Sequence, residues 1–382
     1  MALTVVVAPD SFKGSLTASR AASAIAGGWL TVRPDDTIVL SPQADGGEGT
    51  LDTIEAAVPR AVRRSAGLVT GPDGRPTPGE WLELPGGIAV VELAQASGLP
   101  LMQKLDPLGA TTRGLGEVIR AALASGATSL VIALGGSAST DGGLGALSAL
   151  GARPTDATGS PIPDGGGALA ALAACDLGEL VPPPSGGVTL LTDVTAPLLG
   201  PTGAAAIFGP QKGADAAMIS QLDAALANLA AVIGGDADRP GSGAAGGTAF
   251  GFATVWGAQT RPGAEDLAHL TGLGEAISAA DIVLMGEGRF DEQSLGGKVA
   301  SSILAAAAAG GTVPGIIAGQ VAFSPRLSGG GEVYALALSE LAGSADDAMR
   351  HPETWLREAG ARAARELPER LARQLPEPPP NV

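Results

Sequence analysis

A single cysteine, Cys175, stands among 382 residues. No intramolecular disulfide can staple this chain, and a reducing, cytoplasmic setting is expected. Aromatic residues make up only 3%, so a core must be assembled from Ala, Val, Leu and Ile. Positive charge is scarce: 23 Lys and Arg face 39 Asp and Glu, a net charge of −16. That balance argues against a nucleic-acid surface and against an anionic membrane partner. Any phosphate site must then be a local cluster of cations, backbone amides and metal. No apolar run approaches about 18 residues, so no membrane-spanning helix is expected. The apolar start, Met1 to Ala8, lacks a basic flank and is too short for a signal core, and it reads as a first strand. Of the two histidines, His269 and His351, each lies in an unremarkable helical context and reads as a surface residue. The patterns H-E-x-x-H, C-x-x-C and G-x-S-x-G are absent, which disfavours zinc-dependent and triad-based hydrolysis.

What is present is small and alternating. Gly 58 and Pro 29 are high but follow no Gly-X-Y period, and the glycines sit at the ends of apolar runs as turn residues should. Strands are expected at Val5–Ala8, Thr37–Leu40, Ile88–Leu93, Ser129–Leu134, Val188–Thr192, Asp281–Met285 and Val313–Ala318. Helices are expected at Thr17–Leu30, from about Gly49, and at Arg113–Ala124, Leu144–Ala149, Ala214–Ile233 and Val299–Ala309. This β-α alternation is the mark of parallel-sheet α/β architecture. Two punctuated stretches, Gly71–Gly79 and Gly241–Gly247, read as boundaries or surface turns. The tail from Leu375 is Pro-rich and expected to fray.

Five strand-to-helix loops hold the polar residues. Ala8-Pro9-Asp10-Ser11-Phe12-Lys13-Gly14-Ser15 puts an acid and a lysine at a strand tip, with Ser15 or Thr17 placed to cap the next helix. Ala44-Asp45-Gly46-Gly47-Glu48-Gly49 offers Asp45 and Glu48 as oxygen ligands for a hard cation. Gly135-Gly136-Ser137-Ala138-Ser139-Thr140-Asp141 has no large side chain and three hydroxyls, which suits an anion cradle built of Gly135, Gly136, Ser137 and Thr140. It matches neither the phosphate loop of the nucleotide-hydrolysing enzymes nor the dinucleotide fingerprint. Asp193 follows an apolar strand, and Lys212 precedes a long helix, where a lysine reaches a phosphate as a point charge. Last, Gly286-Glu287-Gly288-Arg289-Phe290-Asp291-Glu292-Gln293-Ser294 with Lys298 pairs two carboxylates, Glu287 and Asp291, with two anion clamps. With histidine and cysteine chemistry set aside, carboxylates, cations, hydroxyls and a metal suit phosphoryl transfer, where positioning and charge neutralisation dominate.

These strings, together with Asp193-Val194-Thr195-Ala196-Pro197-Leu198 and Phe208-Gly209-Pro210-Gln211-Lys212-Gly213-Ala214, resemble the bacterial glycerate kinase family over residues 3 to about 345. The resemblance implies ATP-dependent phosphorylation of D-glycerate with Mg2+. It implies two α/β domains, one flavodoxin-like with a parallel sheet and helices on both faces, the other a mixed α/β domain likened to a restriction-enzyme fold. The first is expected to span residues 1–70 plus about 280–382, the second about 71–279. Phe12 stands where many members carry tyrosine, and Ser139 where Thr or Asn is frequent; neither change removes a charge.

The expected mechanism follows. A glycerate hydroxyl attacks the γ-phosphate of ATP, with Asp193 or Asp291 orienting it or accepting its proton. Mg2+ is held by some of Asp45, Glu48, Asp193 and Glu287. Lys13, Lys212, Arg289 and Lys298 neutralise phosphates and the acid, with Arg289 favoured for the glycerate carboxylate because its fork is bidentate. Asp10, Ser11 and Ser294 complete the binding set. 2-Phosphoglycerate is favoured over 3-phosphoglycerate. The alternatives are a non-catalytic binder of nucleotides or phosphometabolites and an NAD(P)-dependent hydroxyacid oxidoreductase.

Overall fold

The structure is a computed structural model. It describes residues 1–12, 14–44, 46–292, 294, 298–323, 326 and 332–374, with 298, 373 and 374 described by backbone only. The chain divides into two compact units. One comprises Met1–Ala44, Asp52–Pro59 and Ala264–Val382, and the other Asp45–Leu51 and Arg60–Gly263.

In chain order the strands are β1 (Thr4–Pro9), β2 (Thr37–Leu40), β3 (Val62–Thr70), β4 (Pro76–Leu84), β5 (Ile88–Glu92), β6 (Ser129–Ala133), β7 (Arg153–Thr155) and β8 (Ala174–Asp176). There follow β9 (Val188–Leu191), β10 (Gln259–Arg261), β11 (Ile282–Gly286), β12 (Arg289–Phe290), β13 (Val313–Ala318), β14 (Gln320–Val321) and β15 (Tyr334–Ala337).

The first unit is built on a five-stranded sheet in the order β15-β13-β11-β1-β2, parallel throughout. Numbered within the unit, that is the 2-1-3-4-5 order of flavodoxin-like folds. The interior strand β1 shows why the sequence reads as an unbroken apolar run. Val5 and Val7 face a core with Ile25, Trp29, Leu356 and Leu367. Val6 and Ala8 face the opposite one, with Ile277, Ile303 and Ala307. A strand covered on both sides has no polar alternate positions.

Helices Ala18–Val32 and Pro352–Gln374 cover the first of these faces. They approach backbone to backbone. A Cβ added at Gly28 would lie 1.8 Å from the Arg357 carbonyl oxygen, and one at Gly360 would lie 2.1 Å from that of Ile25. Only glycine fits such a crossing. The turn after the first helix is pinned by Asp36, a buried carboxylate. It accepts hydrogen bonds from the Leu3 amide at 2.9 Å, the Trp29 indole at 2.9 Å and the Arg33 guanidinium.

The second unit carries a six-stranded mixed sheet, β10-β9-β6-β5-β4-β3. The β10, β9, β6 and β5 strands run parallel, and β4 and β3 are added antiparallel. Leu130 and Ile132 of β6 join Val91 and Leu190 beneath helices Arg113–Ala124, Leu144–Ala149 and Ala244–Trp256. Both punctuated stretches lie inside this unit. Gly71–Arg75 is the turn of the β3–β4 hairpin. The Gly241–Gly247 stretch is tightly packed: a Cβ at Gly246 would meet the Ser139 carbonyl oxygen at 2.1 Å.

Candidate active site

In the first unit, the carboxyl ends of β1, β11, β13 and β15 open on one cavity of about 440 Å³. This is where open α/β sheets bind ligands, beside the switch point between β1 and β11. Asp10, Ser11, Glu287 and Arg289 line it. The Asp10 amide donates to Gly286 O at 2.8 Å, tying the two loops together. The Asp10 carboxylate accepts from the Ser11 amide at 2.5 Å. Phe12, which is buried, also lines the cavity. Its carbonyl takes the Ser15 amide, the Ser15 hydroxyl and the Leu16 amide. Of the two expected caps for the following helix, Thr17 is the one used, accepting from the Arg20 amide.

The Arg289 Nε lies 3.3 Å from Asp291 Oδ2, and the guanidinium is 64% exposed. The Asp291 amide donates to the Ser294 hydroxyl at 3.1 Å, and that hydroxyl donates to Arg289 O at 3.3 Å. Ser294 therefore fastens the turn that carries the Arg289–Asp291 pair. Lys13 and Asp45, both expected in the site, and the side chain of Lys298 lie outside the described residues.

The second unit gathers another set. β6 and β9 are neighbours, with Ala133 opposite Leu191, so the Gly135–Asp141 loop and Asp193 leave the sheet at the same end. Gly135 packs on the Gly46–Gly47 turn, where its amide donates to Gly46 O at 2.9 Å. A Cβ on Gly135 would come within 2.4 Å of Gly47 Cα. Glu48 flanks Gly136: its Oε1 is 3.3 Å from where a Cβ on Gly136 would be. Both Glu48 and Asp193 are exposed.

The rest of the loop turns inward. Ser137, Ser139, Thr140 and Asp141 are all buried. The Ser137 hydroxyl accepts from the Ser139 amide at 3.2 Å, and the Thr140 hydroxyl has no hydrogen-bond partner among the described residues. The expected anion cradle is therefore narrower than the sequence suggests. The Gly135 amide is already used, and Ser137 and Thr140 are packed away from solvent. Gly136 is left as the loop's exposed residue.

Lys212 also departs from expectation. It does not stand out toward a phosphate. It is 2% exposed, and its Nζ donates to Ser139 O at 2.5 Å. Burial pushes its ammonium down to about 8, against the opposing pull of the nearby Asp141 charge. Asp141 is equally buried, and burial raises its carboxyl. Four donors work against that: the Thr112 amide and hydroxyl, both at 2.8 Å, and the Gly143 and Gly145 amides at 3.1 and 3.3 Å. Asp141 and Lys212 thus brace the loop from beneath.

Sequence reasoning misses Glu92. At the tip of β5 it is buried and accepts from the Gly49 and Leu51 amides at 3.1 and 3.0 Å. It caps the start of helix Thr50–Ala57 and so fixes the backbone that presents Glu48. An acid ending an apolar strand is the available signal, and it is shared by many surface acids. Asp10, Ser11, Glu287, Arg289, Asp291 and Ser294 belong to the first unit, and Glu48, Gly135, Gly136, Ser137, Thr140, Asp193 and Lys212 to the second. Among the described residues no three His, Cys, Asp or Glu side chains gather as a metal cage.

Comparison with known proteins gives a consistent picture. The sequence profile described as the glycerate kinase family matches residues 5–368. The chain is 45% identical over 306 residues to a protein named glycerate 2-kinase from Escherichia coli, covering 78% of this chain and 80% of that one. It is 41% identical over 315 residues to a protein named glycerate kinase from Bacillus subtilis, covering 80% and 82%. A crystal structure from Salmonella typhimurium that carries the name putative glycerate kinase 2 superposes with a TM-score of 0.78 at 34% identity, covering 98% of this chain and 100% of that one.

Proposed function

The chain belongs to the glycerate kinase family, and from that premise we propose that it transfers the γ-phosphoryl group of ATP to a hydroxyl of D-glycerate, giving ADP and 2-phosphoglycerate in preference to the 3-phosphate. The observation that carries this reading is the 45% identity to a protein named glycerate 2-kinase, in a chain whose polar loops leave the carboxyl ends of parallel strands. Such a reaction needs no histidine or thiol. It needs opposed charges held in place, because phosphoryl transfer runs through a loose transition state that positioning and charge neutralisation stabilise.

The residues divide the work as follows. The attacking hydroxyl gives its proton to one of two carboxylates, Asp193 or Asp291. Lys13, Arg289 and Lys298 supply positive charge to the phosphates and to the acid. Gly136 offers its exposed backbone to an anionic group, beside the Glu48 carboxylate. Lys212 acts indirectly as a positioning residue: through Ser139 it holds the loop on which Gly135 and Gly136 stand. Asp10 and Ser11 line the cavity of the first unit.

Mg2+ fits the donors present. Glu48 and Asp193 are exposed carboxylates, and Glu287 lines the cavity of the first unit. A magnesium ion keeps several waters and takes one or two carboxylates with the substrate's phosphates, so a three-carboxylate cage is not required. Glu48 in the second unit or Glu287 in the first would hold it, and Asp45, the other expected ligand, lies outside the described residues. When bound it supplies charge neutralisation on the phosphate oxygens.

A coupled assay for ADP, with and without D-glycerate, tests the reaction. Phosphorus NMR of the product reads the position. The Asp193→Asn and Asp291→Asn variants keep shape and remove charge, and the variant lacking the base is expected to lose about 10²–10⁴-fold in kcat. Full turnover in both variants would remove either residue as the base. Absence of glycerate-dependent ADP release from the wild-type protein would remove the kinase reading itself.

A further inference from the structure

We propose that the cavity at the carboxyl ends of β1, β11, β13 and β15 holds the nucleoside portion of the phosphoryl donor and not the three-carbon acid. This rests on the kinase reading above and says where in the first unit its larger substrate sits.

Size is the first argument. The cavity measures about 440 Å³, within the usual 300–1,000 Å³ of pockets for drug-sized ligands. Glycerate displaces only a few waters at about 30 Å³ each. It would leave most of this volume wet.

Wall chemistry is the second. Six of the lining residues are apolar: Phe12, Leu338, Ala345, Ala348, Met349 and Pro352. A short hydroxy acid has nothing to place against six apolar residues, because every carbon it has carries an oxygen. A flat heterocyclic base has two apolar faces and gains by leaving water there. The lining also carries polar groups, among them Asp10, Ser11, Glu287 and Gln320. A carboxylate at a strand tip, as Asp10 is, suits acceptance of hydrogen bonds from the vicinal hydroxyls of a ribose, while Glu287 is kept for the metal-bearing phosphates.

Charge gives the polarity. Among the described lining residues the one cation is Arg289, 64% exposed at the side of the β12 strand. A triphosphate is drawn to that cation, so the phosphates belong beside Arg289 and the base beside the apolar lining residues. This assigns Arg289 to the phosphates, in place of the glycerate carboxylate expected from sequence.

The test fills the space beside the apolar lining residues. Ala345 opens the helix Ala345–Arg350, whose cap is the Ser344 hydroxyl and not Ala345 itself. In the full-length protein carrying Ala345→Trp, calorimetric titration is expected to show adenosine affinity reduced at least about tenfold and D-glycerate affinity within about twofold of wild type. KM for ATP should rise by a similar factor. Met349→Glu, at a position 60% exposed and therefore tolerant of charge, should act in the same direction. Three results overturn the proposal. Glycerate is weakened while adenosine is untouched; a folded variant with unchanged melting temperature leaves both unchanged; or the wild-type protein fails to bind adenosine up to about 10 mM. Loss of adenosine binding in the variants from a wild-type protein that does not phosphorylate glycerate would keep this assignment and sink the kinase reading, so the two fail separately.

Discussion

Replacing Lys212 with Met should change the pH dependence of stability more than stability itself. In the folded chain the ammonium is buried and spent on one carbonyl, that of Ser139. Burial brings its pKa from 10.5 to about 8. A folded value below the unfolded one means that the unfolded chain binds more protons between those two limits. Stability must then rise with pH across that window. Below pH 8 the lysine is charged in both states and the full penalty of burying charge is present. Above about 10.5 it is neutral in both and the penalty is gone. A gap of about 2.5 pH units at 1.36 kcal/mol each amounts to about 3 kcal/mol. Met has nearly the same length and no charge, so it lacks both the penalty and its relief. Urea unfolding of both proteins at pH 7.5 and pH 10, followed by tryptophan fluorescence, measures the difference. The stability of wild type relative to Lys212→Met is expected to increase by about 2–3 kcal/mol between the two pH values. Taking the difference cancels every other group that titrates in the range, such as Tyr334, whose phenol burial pushes up. A difference that stays flat would refute the claim that Lys212 is held dry under the loop. Turnover in Lys212→Met should fall, because Ser139 O loses its donor and the loop its brace.

Other substitutions follow from the same geometry. Asp141→Asn turns one acceptor oxygen into a donor facing amide and hydroxyl donors, and should cost about 3 kcal/mol in thermal or urea unfolding. Gly135→Ala brings a methyl to 2.4 Å from Gly47 Cα, which no side-chain rotation can relieve; about 1–3 kcal/mol and a larger share of activity should be lost. For Asp36, burial raises the carboxyl but Arg33, the Leu3 amide and the Trp29 indole outweigh it, leaving the pKa below 3.8. Its contribution is therefore present above about pH 4 and lost as pH falls through that lowered value. Asp36→Asn should be about 2–3 kcal/mol less stable at pH 7, with the gap to wild type closing in acid titrations followed by circular dichroism.

Much of the first unit is legible in the amino-acid sequence. β1, β11 and β13 are covered on both faces, which writes them as unbroken apolar runs, and β1 and β11 each end in a loop with acids and glycines. The amphipathic helix Arg113–Ala124 is equally plain. The β3–β4 hairpin is not. Consecutive residues of β3 are charged, with Arg63 paired to Glu80 at 3.2 Å and Arg64 to Glu83 at 2.8 Å, so β3 reads as a polar linker. The Gly241–Gly247 stretch misleads for another reason. Its glycines serve close packing against Ser139 and Thr140, which from sequence alone looks the same as a flexible joint. Within the site, sequence names the loops but not the direction their side chains face. Ser137, Thr140 and Lys212 share the composition of a ligand cradle, yet their burial depends on residues as distant as Thr112. No local pattern carries that information.

An interior strand of the first sheet, β1, pairs Val5 with Ile282, and its cover includes Leu356 and Leu367. On the ribosome, therefore, β1 emerges long before β11 and the Pro352–Gln374 helix, and cannot complete its sheet and cover until they are made. Residues 60–263 form an uninterrupted stretch with their own sheet, and they are free to fold meanwhile. During that interval the nascent Thr4–Pro9 segment, apolar on both sides and open at both edges, is an aggregation hazard. Premature stops anywhere before the Pro352–Gln374 helix should yield insoluble product even though residues 60–263 are intact, and chaperone dependence should track how long synthesis of that middle portion takes.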